Sequence, residues 1–177
     1  ALGVILANLI MFFRILIEVF VVNHELFFGL LARLLPLILV GVVGSWIVYR
    51  KAESYKSKLD IGTPFAFVPA LTFAAIFAAV IALAKLGNLF FQDLGVYVVS
   101  LISGLADVDA ITVSLSQLSK DNLESTVAIK GIMLAALSNI CVKGGISFFL
   151  GSKEFRRPII WIYLLMIILG LVTLLFS

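Results

Sequence analysis

An all-α integral membrane protein of about six transmembrane helices is the fold class this sequence predicts. Three observations carry it. Apolar residues make up 63% of the chain and charged residues only 13%, where soluble domains sit near half and a quarter. The mean hydropathy is +1.22. The apolar residues also fall into runs of about 20, the length a helix needs to cross a bilayer. These runs are 1–22, 30–49, 65–86, 95–118, 126–150 and 159–177. The polar segments between them are too short for a soluble domain, so 1–177 reads as one polytopic membrane domain. Connections this short make neighbouring helices antiparallel.

The first run holds Arg14 and Glu18, four apart and therefore on one helical face. They pair as a structural lock or act as a gate. His24, the only histidine, follows in the polar segment Asn23 to Gly29 and excludes a His-rich metal site. The second run closes on Trp46 and Tyr49, as interfacial aromatics do. Its Gly41, Gly44 and Ser45 offer a small-residue packing face. The basic segment Arg50 to Asp60 comes next. The third run, after Pro64, repeats a small residue every fourth position at Ala70, Ala74, Ala78 and Ala82, which reads as close helix packing.

The fourth run carries the feature that most needs explaining. Asp107 and Asp109 sit in apolar sequence, and a carboxylate at the bilayer centre costs about 3 kcal/mol. In a continuous helix, residues two apart point about 200° from each other, so both could not reach one site. Gly104 tolerates unwinding, and a helix can break at membrane depth where it lines a cavity. A break near Gly104, over Gly104 to Val108, lets both carboxylates converge on a hard cation, which prefers oxygen ligands. Alternatively, one aspartate binds substrate and the other pairs with Lys143 or Arg14. Thr112 shares the stripe of Asp109.

In the fifth run, Ser138 and Asn139 add oxygen donors, and Asn139, Lys143 and Ser147 share a face. Lys143 is the expected counter-charge to an aspartate. Gly144 and Gly145 mark unwinding or tight packing. After the basic segment Gly151 to Pro158, the sixth run opens with Trp161 and Tyr163 at the interface.

The predicted ion site is thus Asp107, Asp109, Thr112, Ser138 and Asn139, with the two aspartates as metal ligands. The expected substrate is a cation, a divalent such as Mg²⁺ above all, and no other cofactor is expected. The five deep charges Arg14, Glu18, Asp107, Asp109 and Lys143 sum to −1, which suits a cation or a proton better than an anion.

Orientation is not resolved by charge under a six-span count. One face holds Arg50, Lys51, Lys56, Lys58 and Lys120 with Lys130 nearby; the other holds Arg33, Lys85, Lys153, Arg156 and Arg157. Two inverted three-helix halves, 1–86 and 95–177, would produce this balance. So would dual insertion into an antiparallel homodimer, or a missing N-terminal segment that sets the orientation.

Other classes are narrowed. The single Cys141 supports no disulfide framework or Cys-based metal site. A net charge of +3 reads as basic loops beside anionic lipid, with no nucleic-acid surface. No secretory signal is visible, and a chain starting at Ala1 fits one that is processed, trimmed or cut from a longer protein.

Four segments resemble one family. They are Arg14-Ile-Leu-Ile-Glu18-Val-Phe-Val-Val-Asn23, Pro64-Phe-Ala-Phe-Val-Pro-Ala-Leu, Gly104-Leu-Ala-Asp107-Val-Asp109-Ala-Ile-Thr112-Val-Ser114-Leu, and Ser138-Asn139 with Lys143. They resemble the membrane domain found C-terminal to MgtC/SapB-type domains. The resemblance runs over nearly the whole chain, and Gly-Leu-Ala-Asp-Val-Asp-Ala is its most specific block. Lys85 and Lys130 depart from the family's apolar pattern. The preceding MgtC-type helices are absent, as in a stand-alone or excised copy. The resemblance implies a role in magnesium or other divalent-cation homeostasis. It also adds Asn23 to Lys143, Arg14 and Glu18 as a counter-charge or gate residue.

The expected function is cation transport or conduction across the cell (inner) membrane by a homodimer. A non-transporting membrane partner or regulatory subunit is the second class, because buried polar residues also glue helices together. An intramembrane aspartyl enzyme is the third. It fits poorly, since aspartyl intramembrane proteases draw their aspartates from two helices and carry Gly-x-Gly-Asp, where this chain has Gly-Leu-Ala-Asp. The chain is therefore not expected to be an enzyme.

Overall fold

A computed structural model describes residues 1–52, 93–150 and 153–175. The expected third span and its alanine stripe, with Pro64, lie outside these residues. Six helices are described: α1 Leu2–Val22, α2 Glu25–Ala52, α3 Asp93–Ala106, α4 Asp109–Asp121, α5 Ser125–Leu150 and α6 Lys153–Leu175. There is no strand among the described residues. Among the described residues, four helices are long and apolar enough to cross a membrane: Leu2–Val22, Glu25–Arg50, Ser125–Phe149 and Arg156–Leu175.

The expected polar segment Asn23 to Gly29 shrinks to Asn23 and His24. Asn23 is extended (φ −149°), so its N–H still closes the last turn of α1 on the Val19 carbonyl. Its Oδ1 accepts from the Glu25 N–H at 3.3 Å, satisfying a free donor at the start of α2. One residue thus ends one helix and starts the next.

Side-chain contacts fix how the helices run. α2 returns along α1, with Gly41 against Leu9, and its first turns meet α5, with Gly29 against Ile129. α6 returns along α5, with Gly144 against Tyr163 and Gly170 against Leu137. The bundle therefore has two ends. The Asn23 end holds the α1–α2 and α4–α5 turns. The Arg157 end holds the C-terminus of α2 and the passage from α5 to α6. Fully buried Phe12, Ile15, Leu34, Leu37, Ile132 and Met133 fill the core between them. Outward positions carry Ile10, Ile17, Phe20, Phe28, Leu39 and Leu165, all exposed. An apolar exterior of this extent matches a lipid environment.

Tyr163 corrects an expectation. It is buried rather than interfacial, and its hydroxyl donates to the Val4 carbonyl at 3.0 Å, tying α6 to α1. Tyr163→Phe should leave that carbonyl without the bond and cost about 1 kcal/mol, read as a lower melting temperature in detergent.

The largest correction concerns the fourth expected span. Residues 95–118 do not form one helix. The chain breaks at Asp107 and Val108, three residues past Gly104, and doubles back. α3 runs parallel to α5: Val96 and Ser100 lie by Gly131, Gly104 lies on Ala135, and the Asn139 amide reaches the Gly104 carbonyl. α4 runs antiparallel to α5, with Leu115 against the same Gly131. α3 and α4 therefore form a helical hairpin whose tip lies beside Asn139. Asp121, and Asp93 where the described part of α3 begins, are at the Asn23 end.

The tip is held by α5. Gly104 is buried with its backbone against that of Ala135: a Cβ there would lie 2.2 Å from the Ala135 carbonyl oxygen. Gly104 serves close approach, and the unwinding occurs at Asp107. Ser138 Oγ donates to the Leu101 carbonyl at 2.8 Å and Asn139 Nδ2 to the Gly104 carbonyl at 3.0 Å. The Gly104 carbonyl, in the last turn of α3, thereby gains a donor that the helix itself cannot supply.

Candidate functional site

The break gathers charge. A cavity of ≈400 Å³ opens at the hairpin tip between α1 and α5. Arg14, Asp107, Asp109, Asn139 and Lys143 line it, with Ala7, Ile10, Met11, Ala106 and Val108. Asp107 and Asp109 now share one cavity, which a continuous helix forbids. The C-terminal end of α3 and the N-terminal end of α4 both point to it, a negative and a positive partial charge side by side.

Each charged group is placed differently. Asp109 is buried in the first turn of α4 and forms an ion pair with Arg14. Arg14 therefore does not pair with Glu18, against the i, i+4 expectation. Glu18 lies one turn further along α1, half-buried and outside the cavity, with Oε2 lacking a hydrogen-bond partner. Lys143 reaches across to α1, donating to Asn8 Oδ1 at 2.9 Å and to the Met11 sulfur at 3.5 Å. It does not pair directly with an aspartate. Asp107 Oδ2 is buried and has no partner.

Asn139 presents its nitrogen to the Gly104 carbonyl, because a carbonyl can only accept. Its Oδ1 is left buried and without a donor. The cavity thus holds two orphaned acceptor oxygens, from Asp107 and Asn139, beside two cationic groups that are already engaged. Buried acceptors of this kind ordinarily have partners.

Other predicted residues fall elsewhere. Thr112 is buried, and it does not line the cavity. Ser138 is occupied by the Leu101 carbonyl. Asn23 sits at the end of the bundle, where its Nδ2 donates at 3.4 Å to the Ser116 carbonyl. Among the described residues, no group of three or more His, Cys, Asp or Glu is placed to hold a metal ion. A metal here would draw on two carboxylates, an amide oxygen and water.

The residue missed from the sequence is Asn8, fully buried in α1. Its signal was an amide in an otherwise apolar first run, one to two turns before Arg14 on the flank that meets Lys143.

Residues 1–151 match the family model described as "Domain of unknown function (DUF4010)". The chain belongs to that family. A relative from Aquifex aeolicus (strain VF5), described as "Uncharacterized protein", is 32% identical over 170 residues, covering 94% of this chain and 74% of the relative. No solved structure matches the chain. The family match covers α1 to α5 and so the whole cavity lining. Neither likeness carries a link to MgtC-type proteins.

The ion pair has a measurable consequence. Arg14→Gln leaves Asp109 buried without its counter-charge. The expected loss is about 2 kcal/mol, below the usual range for a buried pair because Arg14 is more than half exposed. Adding Asp109→Asn should recover most of it. Additive losses in the two single variants and the double variant, by thermal unfolding in detergent, would show that the pair is not coupled.

Proposed function

We propose that this DUF4010 protein is a multi-pass membrane transporter or channel for a cation, most simply a divalent ion such as Mg²⁺. Its site is the cavity at the hairpin tip. The supporting observation is the pair of orphaned oxygens, Asp107 Oδ2 and Asn139 Oδ1, buried in one cavity among apolar helices. A hard cation with part of its water shell satisfies both. Mg²⁺ typically keeps several waters and takes one or two carboxylates. A volume of ≈400 Å³ holds a partly hydrated ion, at about 30 Å³ per water.

Charge balance refines the reading. Arg14 and Lys143 offset Asp107 and Asp109 in the cavity lining. An arriving cation competes with Arg14 for Asp109, so binding and release of Arg14 are linked. Lys143, held by Asn8, limits the positive charge the site accepts. This arrangement favours exchange over tight storage. The protein works in the cell membrane, and assembly as a homodimer belongs to the same proposal.

A second reading has its own observation. Arg14–Asp109 and Lys143–Asn8 each join α1 to another helix. Polar contacts of this kind also serve as glue in a non-transporting partner subunit.

The test is ion flux into liposomes containing purified protein, over Mg²⁺, Ca²⁺, Mn²⁺, Na⁺ and K⁺, with and without a pH gradient. Saturable flux of a cation supports transport. Monodisperse, folded protein that moves none of them favours the subunit.

A further inference from the structure

We infer that α3 and α4 form a re-entrant hairpin in the bilayer, entering from the extracytoplasmic side, and that the Arg157 end of the bundle rests on the anionic headgroups of the cytoplasmic leaflet. This does not depend on what the cavity binds.

The first ground is length. α4 spans 13 residues, about 20 Å at 1.5 Å per residue, short of the roughly 30 Å hydrocarbon core. α5 has 26 residues, about 39 Å, and the hairpin tip lies against Asn139, just past its middle. From that tip α4 returns to the Asn23 end, and the described part of α3, Asp93–Ala106, leads back toward the same end, so 93–121 contribute no crossing. Irregular backbone at the tip is tolerated at that depth because it faces a cavity inside the protein.

The second ground is charge. Under six antiparallel spans the two basic segments fall on opposite faces and orientation is undecided. The hairpin reverses that result, because the end of α2 and the start of α6 now share one end. Arg50, Arg156 and Arg157 lie there, and Lys51 and Lys153 adjoin them in sequence. In the turns at the Asn23 end, Lys120 is the only Lys or Arg among the described residues, beside Glu25, Asp93, Asp121 and Glu124. Arg33 and Lys130 lie further inside α2 and α5. Short loops rich in Lys and Arg stay cytoplasmic, and basic clusters beside a span attract anionic lipid.

The third ground is the aromatic girdle. Trp46, Tyr49 and Trp161 are all exposed at the Arg157 end. Arg50 stacks over Trp46 at 5.0 Å, and Arg156 over Phe148 at 5.1 Å. Arginines lying on interfacial rings hold their charge at headgroup depth.

The experiment is sided labelling in intact cells with a membrane-impermeant maleimide. Cys141→Ser removes the native thiol, and Glu25→Cys, Asn122→Cys and Glu154→Cys are each added singly. The expected result is labelling from outside at positions 25 and 122, and at 154 only after permeabilisation. Six true crossings would instead put 25 and 154 on one side and 122 on the other. Outside labelling at 154 alone would invert the orientation. Partial labelling of all three in intact cells would restore dual insertion. Any of these outcomes overturns the inference. Arg50→Glu with Arg156→Glu and Arg157→Glu, on the Glu25→Cys protein, should cut outside labelling several-fold if anionic lipid sets the orientation.

Discussion

Asp107→Asn should abolish cation flux while leaving the bundle folded. Asp107 Oδ2 has no hydrogen-bond partner, so the substitution breaks no hydrogen bond at that oxygen. The melting temperature should therefore change little. Flux should fall at least about tenfold, the equivalent of about 1.4 kcal/mol of ion-binding free energy. Asp109→Asn should behave differently, because it frees Arg14 from its ion pair. A positive guanidinium then competes directly with the ion. Normal flux in well-folded Asp107→Asn protein would remove the carboxylate from the mechanism.

Gly104→Leu should disrupt assembly of the hairpin, with a loss of about 3 kcal/mol or more. The reason is the identity of the atom in the way. At most other crowded glycines a new Cβ meets the tip of a flexible side chain: Ile162 at Gly44, Leu137 at Gly170, Leu115 at Gly131. Those can rotate. At Gly104 it meets the carbonyl oxygen, Cα and carbonyl carbon of Ala135, all within 2.8 Å. Only a shift of α3 away from α5 relieves that contact. Such a shift also strains the bonds from Ser138 and Asn139. Gly145→Ala is the matched control, since nothing lies within 4 Å of a Cβ there. It should be neutral or stabilising by up to about 1 kcal/mol, as expected for glycine in a helix interior. Size-exclusion profiles and thermal unfolding in detergent read both. Equal behaviour of the two variants would mean that the α3–α5 contact is not close.

Much of the bundle was legible in the sequence. Helices α1, α2, α5 and α6 follow from apolar length alone. The interruption of the fourth run followed from two aspartates that one continuous helix cannot aim at one place. The reversal of the chain at that interruption did not follow. Residues 95–118 have the length of a span, and length outweighed a warning in their second half. Ser114, Ser116, Gln117, Ser119 and Lys120 make α4 far less apolar than a lipid-crossing helix. Of these, Ser114 and Ser116 are buried in the bundle, while Gln117 and Lys120 are exposed toward the Asn23 end.

Of the residues named from sequence, Arg14, Asp107, Asp109, Asn139 and Lys143 line the cavity, and Glu18, Asn23, Thr112 and Ser138 do not. Spacing placed Arg14 beside Glu18, and local spacing cannot see that the hairpin brings Asp109 closer. Lys143 was matched to an aspartate on charge alone, where the fold offers it an amide on α1. Asn8 went unnoticed because an uncharged residue in an apolar run raises no electrostatic alarm. Partner choice across helices depends on bundle geometry, which single-chain periodicity does not encode.

The doubling back at Asp107 also constrains the order in which the protein assembles. A segment that enters and leaves at the same end adds nothing to the parity of the chain, so α5 has the same direction whether or not the hairpin is in place. What holds the tip, the backbone of Ala135 and the side chains of Ser138 and Asn139, is made later in the sequence than the tip itself. During synthesis the tip therefore cannot reach its final seat before α5 has been made, and the cavity comes into being only then.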